Sequence, residues 1–86
     1  RAYPNPARGD LTIEFALPVA GVAGLRIRDI AGRLVRPLAD GAMPPGVHSM
    51  RWDHRSADGR LVSPGVYVYE LRFAGRRFAR RVVILE

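Results

Sequence analysis

Two histidines, eight carboxylates and a few hydroxyls are the side chains of this sequence that could take part in catalysis. Ser49 adjoins His48, but neighbouring residues on a strand point to opposite faces, so this pair could not share a proton. Four of the carboxylates lie beside or near turn glycines, where aspartate usually accepts backbone N–H groups: Asp10, Asp29, Asp40 and Asp58. The sequence therefore predicts no catalytic residues and no enzyme activity.

Metal ligands are equally sparse. His48 and His54 belong to no cluster with the spacing of zinc ligands, and the chain has no cysteine. Residues 53–59 have the outline of a calcium loop, which needs oxygen ligands at its first, third and fifth positions. Arg55 and Ala57 occupy the third and fifth positions. We therefore expect neither a metal nor a cofactor.

The aromatic residues offer a different kind of site, a stacking platform for sugar rings. Trp52 is the single tryptophan, and it shares strand parity with Met50 and His48. That parity favours burial in the core over exposure to a sugar. Tyr67 and Tyr69, spaced two apart, favour the covering of one sheet face. A glycan-binding module of a secreted hydrolase stays open as an alternative.

Positive charge is the strongest compositional feature, with a formal net charge of +6 and arginine as all 14 basic residues. The arginines are spread along the chain without the interleaved aromatic residues of a nucleic-acid surface, so nucleic acid is not the expected partner. Arg26 and Arg28 lie on one outward strand face, and Glu70 shares a face with Arg72. We favour a solvated face with cross-strand ion pairs. The alternative is a docking surface for an anionic glycan or lipopolysaccharide.

The elements that position these side chains are short segments in which apolar and polar residues alternate, as in half-buried strands. They cover residues 11–17, 25–28, 34–38, 47–52, 66–73 and 78–85. Residues 21–24 are expected to be loose, and turns are expected at Asp40-Gly41 and over residues 74–77. No segment has a helical period. The pattern predicts an all-β fold, an Ig-like β-sandwich of about seven antiparallel strands, with residues 1–86 as a single domain.

Short motifs rich in turn residues are spaced along nearly the whole chain. Their residues are Pro4, Asn5, Pro6, Asp29, Gly32, Arg33, Trp52, Asp53, Asp58, Gly59, Gly65 and Tyr67. In this order and spacing they resemble the Ig-like domain of the flagellar hook-cap protein FlgD, and they are similar to the C-terminal sorting domains of type IX secretion cargo. Two positions depart from the usual loop, since His54 replaces a glycine and Ser56 an aspartate.

The resemblance implies a non-catalytic accessory domain of a secreted or cell-surface bacterial protein. Its role would be sorting, anchoring or assembly, with a secretion apparatus or other domains of the parent protein as partners. A self-assembling subunit of an extracellular filament, joined to identical subunits through sheet edges, stays open as an alternative. The longest aliphatic run covers residues 82–85, whereas a membrane span needs about 20 apolar residues, so no span is expected.

The last predicted strand, residues 78–85, carries apolar side chains on both faces. A strand at the rim of a sandwich needs only one buried face, so the second row requires another surface. Arg80 and Arg81 interrupt both rows at the same level, which limits uncontrolled edge pairing. We therefore predict that this strand, through Arg80, Arg81, Val83 and Leu85, is a contact element for strand addition.

Overall fold

The computed structural model describes residues 1–86, which form seven strands and no helix. The strands are β1 (Ala2–Tyr3), β2 (Leu11–Leu17), β3 (Gly21–Asp29), β4 (Leu34–Met43), β5 (Gly46–Trp52), β6 (Gly65–Phe73) and β7 (Arg76–Ile84). They build a three-stranded sheet of order β1-β2-β5 and a four-stranded sheet of order β4-β3-β6-β7. Neighbouring strands in both sheets are antiparallel. The predicted all-β, Ig-like sandwich is thus confirmed, and no helix long enough to cross a bilayer is present.

The core lies between the two sheets, where the inward-facing side chains meet. Leu11 and Ile13 of β2 and Leu25 and Ile27 of β3 are fully buried, because alternate residues of a strand face the same side. Each such side chain stabilises the folded state by about 1.5–3 kcal/mol when buried. A slip of one residue would expose a whole row, so the rows fix the strand register. The main cluster consists of Ala7, Leu11, Ile13, Leu25, Ile27, Trp52, Tyr67, Tyr69, Val82 and Ile84.

The β3–β4 pair is longer than the sequence predicted. Residues 21–24, expected to be loose, begin β3, and Gly21 pairs with Met43. The expected turn at Asp40-Gly41 is wrong, because these residues lie inside β4 opposite residues 23–24. Backbone pairing along a partner strand holds these residues in the sheet although their side chains carry no period-two pattern. Only residues 44–45 separate β4 from β5.

Two hairpin turns shape the four-stranded sheet. Between β3 and β4, the carboxylate of Asp29 accepts the backbone N–H of Arg33 at 2.9 Å and its Nε–H at 2.8 Å. The backbone hydrogen bond from Arg33 is the main reason why the pKa of Asp29 lies below its usual value. Between β6 and β7, Ala74 and Gly75 form the turn with φ of 53° and 72°. Positive φ at both positions is the requirement of a type I′ hairpin turn.

The position of that second turn corrects a prediction. Arg76 and Arg77, expected within the turn, are the first residues of β7, and Phe73 pairs directly with Arg76. A two-residue turn is enough to reverse the chain, so the two arginines belong to the strand. The strand that the sequence began at Phe78 therefore starts two residues earlier.

The N-terminal segment crosses from one sheet to the other. Its first residues pair with β2, after which Ala7 forms a parallel bridge with Ile84 of β7. The N–H of Ala7 donates to the carbonyl of Val83 at 2.9 Å, and the N–H of Leu85 donates to the carbonyl of Ala7 at 2.8 Å. The side-chain oxygen of Asn5 accepts the N–H of Val83 at 3.0 Å. This segment therefore covers the C-terminal end of β7.

Candidate protein-binding edge

Trp52 holds the loop after β5 against the core. It is fully buried, as strand parity predicted, and its indole N–H donates to the carbonyl of Arg55 at 2.9 Å. The ring lies 5.6 Å from Tyr67 in an edge-on arrangement and 5.4 Å from His54. Edge-on pairs of this kind add to the stability of a core beyond the area they bury. A fully buried indole cannot serve as an exposed stacking platform for a sugar.

The loop of residues 53–60 is held by acidic side chains that accept local hydrogen bonds. Asp53 accepts the N–H of Arg55 at 3.1 Å, and Asp58 accepts the hydroxyl of Ser56. The bond from Ser56 is the main reason why the pKa of Asp58 is lowered. His54, at the position of the usual glycine, adopts a left-handed φ of 63°, a region in which histidine is more frequent than most residues. Both aspartates thus accept backbone N–H groups of the loop, Asp53 from Arg55 and Asp58 from Arg60.

Tyr67 ties the start of β6 to the loop before it. Its hydroxyl donates to the carbonyl of Ser63 at 2.6 Å, and burial raises the pKa of the phenol. Gly65 begins the strand, and Tyr69 lies on the same inward face as Tyr67.

His48 is also held locally, with Nε2 2.8 Å from the carbonyl of Pro44. No group of three or more histidine and acidic side chains lies close enough together to hold a metal.

The outer edge of β7 is covered only in part. The N–H and C=O groups of Val83 point away from β6, since both bond the N-terminal segment. In an antiparallel pair, the backbone N–H and C=O groups of every second residue point to the same side of the strand. The backbone groups of Arg77, Ala79 and Arg81 therefore point outward too, and no backbone group of the chain pairs with them. The carbonyl of Ala79 accepts a hydrogen bond from the side chain of Arg80 at 3.0 Å, which an added strand would have to replace. We call residues 77–81 the open half of β7.

Because the N-terminal segment covers one end of β7, only some of the contact residues predicted from the sequence are free to bond a partner strand. Arg80 and Arg81 lie in the open half, but Val83 and Leu85 already bond the chain's own residues 5–7. The N-terminal segment thus already occupies the backbone edge at these two residues. Val83 and Leu85 are half-buried rather than exposed. Strand addition at these two residues would have to displace three hydrogen bonds, so only the open half is free to accept a partner.

An apolar groove runs between the two sheets beside the open half of β7. One part, of about 300 Å³, is lined mostly by apolar residues that include Leu17, Leu71, Phe73 and Phe78. A smaller part of about 150 Å³ shares Leu71 and Phe78 and reaches Phe15. Phe78 is 47% exposed, which is unusual for a phenylalanine at the mouth of a core. We call the surface formed by these five residues the edge groove; sequence reasoning missed it.

The rim of the edge groove is positively charged. Arg76 borders its larger part and Arg80 its smaller part, and neither forms an ion pair within the chain. Arg1 and one carboxylate, Glu14, also line the smaller part, so arginines outnumber acidic residues at the rim. Arg81, next along the strand, is also unpaired and exposed, but it lies on the opposite face of the sheet and does not line the groove. Unpaired arginines at the rim attract acidic groups and repel basic ones. A complementary surface would therefore be apolar at its centre and acidic at its margins.

The outer face of the four-stranded sheet carries a cluster of ion pairs around Glu70. The Nε atoms of Arg28, Arg72 and Arg77 lie 3.5, 3.0 and 2.6 Å from its carboxylate oxygens. Burial alone would raise the pKa of Glu70, but the hydrogen bond from Arg72 and the charges of the three arginines lower it. The expected cross-strand ion pairs are thus confirmed. The expected solvation is wrong for Glu70, which is 1% exposed because the guanidinium groups cover it.

These features can be set beside known proteins. The model of the FlgD Ig-like domain family matches residues 6–74. The chain belongs to this family. No curated protein matches its sequence.

Two solved structures resemble the FlgD-type Ig-like domain described above. PorZ, an essential bacterial surface component of the type IX secretion system of Porphyromonas gingivalis, is 26% identical with a TM-score of 0.69. The match covers the whole of this chain but 11% of the PorZ chain. FlgD from P. aeruginosa is 22% identical with a TM-score of 0.66, over 86% of this chain and 58% of that one. At 22% identity the likeness to FlgD shows the fold alone, and in both cases this chain spans only part of the other protein.

The family match includes four of the five residues of the edge groove but no residue of β7. The matched stretch begins at Pro6 and includes the motif residues up to Tyr67, and it ends before β7. Family membership therefore accounts for the turns and the core that the motif residues build. The open half of β7 lies outside the matched stretch, so the family match says nothing about its outward-pointing backbone groups.

Proposed function

We propose that this FlgD-type Ig-like domain, residues 1–86, is a non-catalytic accessory domain of a secreted or cell-surface bacterial protein. It binds another polypeptide by strand addition at the open half of β7. The observation that carries the proposal is that the outward backbone groups of Arg77, Ala79 and Arg81, which bond no other strand, lie beside the edge groove. An exposed sheet edge offers main-chain hydrogen bonds, and pockets beside it select side chains.

The geometry defines the chemistry of the added strand. Its backbone would pair with Arg77, Ala79 and Arg81, whose N–H and C=O groups point outward. Residues opposite Phe78 and Arg80 would turn inward, so alternate apolar side chains would enter the edge groove. Acidic residues at the margins would meet the unpaired arginines of the rim. A strand with this alternation would extend the four-stranded sheet and cover the exposed ring of Phe78.

One further observation supports a role in protein contacts, and another supports a non-catalytic role. The likeness to PorZ, a surface component of a secretion system, favours a partner in a secretion apparatus or another domain of the parent protein. The polar residues most suited to catalysis are engaged in local structure, as the bonds of Asp53, Asp58 and His48 show. An identical subunit could also supply the added strand, and this is the form that the filament alternative would take.

The test uses a backbone change confined to the open half. Ala79→Pro removes an N–H that points away from β6, so the β6–β7 pairing is kept while an added strand loses a donor. Ala79→Val is the matched control, because it changes the same side chain and keeps the N–H. In the full-length parent protein, in its own cell, we expect Ala79→Pro to abolish sorting or assembly and Ala79→Val to preserve it.

Three measurements complete the test. Thermal unfolding of both variants establishes that each is folded. A folded Ala79→Pro protein that is sorted and assembled normally would contradict strand addition at this edge. Sedimentation of the purified 86-residue chain at increasing concentration shows whether an identical subunit is the occupant, since only that occupant makes the wild type oligomerise and Ala79→Pro remain a monomer.

A further inference from the structure

A second concave surface lies on the outer face of the four-stranded sheet, beside the turn between β6 and β7. It is a cleft of about 370 Å³, at the lower end of the range of about 300–1,000 Å³ that is usual for small-ligand sites. Gly24 forms part of its lining and places no side chain in it. We call it the outer cleft. It belongs to neither the core nor the edge groove, although Phe73 and Arg76 border both concave surfaces.

The lining of the outer cleft is dominated by positive charge. Four arginines face it, namely Arg26, Arg72, Arg76 and Arg77, and Asp40 is its one carboxylate. Asp40 forms no ion pair, and neither do Arg26 and Arg76. A concave wall with one sign of charge concentrates the field and attracts small ions of the opposite sign.

Glu70 makes part of this wall rigid. It lies buried beneath Arg72 and Arg77 and contacts both through their Nε atoms, at 3.0 and 2.6 Å. No acceptor in the chain takes a hydrogen bond from the terminal nitrogens of these two guanidinium groups. A guanidinium has five N–H donors in a fixed fork, so the terminal donors remain free for an external ligand. Glu70 is thus a positioning residue that holds two donor groups in place before any ligand arrives.

We propose that the outer cleft binds a tetrahedral oxyanion, a phosphate or sulfate group, carried either as a free ion or as an ester on a larger molecule. Such a group presents several acceptor oxygens in the geometry that arginine forks match. Arg26 and Arg76 supply the unpaired charges, and Arg72 and Arg77 supply donors that Glu70 positions. Asp40 opposes binding by repulsion, so its charge sets an upper limit on affinity.

The experiment is an NMR titration of the ¹⁵N-labelled 86-residue chain at neutral pH and constant ionic strength. The probes are inorganic phosphate for the free ion, glucose 6-phosphate for the ester and glucose as the neutral control. We expect saturable shifts of the Gly24 and Gly75 amides, which lie in the cleft lining. Saturable shifts with inorganic phosphate would show that the free ion is enough for binding. Saturable shifts with glucose 6-phosphate but not with inorganic phosphate would show that the cleft binds the ester. Failure of both to saturate would overturn the proposal, as would equal shifts with glucose.

Three variants separate the cleft from general electrostatic attraction. Arg26→Gln should weaken binding about tenfold, because it removes a charged donor from the site. Arg51→Gln removes the same charge from an exposed position on β5, in the other sheet, and should change affinity less than about twofold. Asp40→Asn should tighten binding, a result that partial unfolding cannot imitate. Equal losses in Arg26→Gln and Arg51→Gln, or weaker binding in Asp40→Asn, would overturn the proposal.

Discussion

Replacing Trp52 by alanine is expected to cost about 3–5 kcal/mol of unfolding free energy. The side chain is fully buried, and truncating a core tryptophan or phenylalanine to alanine typically costs this much. It also leaves the carbonyl of Arg55 without its indole donor. A chain of 86 residues has a total stability of roughly 4–13 kcal/mol at about 0.05–0.15 kcal/mol per residue. The variant should therefore lose a large share of its stability.

Thermal unfolding followed by circular dichroism measures this loss. One kcal/mol corresponds to about 4–8 °C in a domain of this size, so Trp52→Ala should melt about 12 °C or more below the wild type. Trp52→Phe is the matched control, because it keeps a ring against Tyr67 and removes the hydrogen bond to Arg55. Its loss should be clearly smaller. A Trp52→Ala melting temperature within about 4 °C of the wild type would refute the assignment of Trp52 to the core.

Two further predictions concern polar contacts, one buried at Glu70 and one exposed at Asn5. Glu70→Gln should destabilise the domain by about 1–3 kcal/mol at neutral pH, since three partly exposed arginines lose their carboxylate. The folded pKa of Glu70 is lowered, so its contribution is present above the unfolded pKa of about 4.3 and is lost as the pH falls through the folded pKa. Urea unfolding should accordingly show the two proteins converging in acid; a constant difference would contradict this. Asn5→Ala should cost about 0.5–1.5 kcal/mol and speed hydrogen exchange at the Val83 amide, whereas Asn5→Asp keeps the acceptor. Unchanged exchange in Asn5→Ala would contradict the covering of this edge.

The alternation of apolar and polar side chains correctly predicted buried residues in β2 and β5. In β2, Leu11, Ile13 and Leu17 are buried as the period of two required, and Trp52 follows the same rule at the end of β5. The start of β3 and the glycine at position 41 carry no such pattern. Their place in the sheet is decided by pairing with the neighbouring strand, which single-residue propensities do not contain.

The candidate edge depended on contacts that lie far apart in the sequence. The side chain of Asn5 accepts a hydrogen bond from the N–H of Val83 across a sequence separation of 78 residues. No local sequence pattern near either residue predicts this bond. The exposure of Phe78 likewise depends on how distant residues of both sheets line the groove beside it. For Glu70, parity correctly predicted the outer face, but burial there comes from arginine side chains, whose long stems can cover a neighbour as apolar groups do.

The parallel contact between the N-terminal segment and β7 also determines how the molecule would bear a mechanical load. Residues 5–7 run alongside residues 83–85 in the same direction, joined by the bonds of Ala7, Val83 and Leu85. A pull between the two ends slides these segments past each other, so the three bonds are strained together rather than peeled one at a time. Resistance to such a pull is governed by the rate of forced unfolding, not by the equilibrium stability alone. The crossing segment thus acts as a shear clamp that links the two terminal segments of the domain.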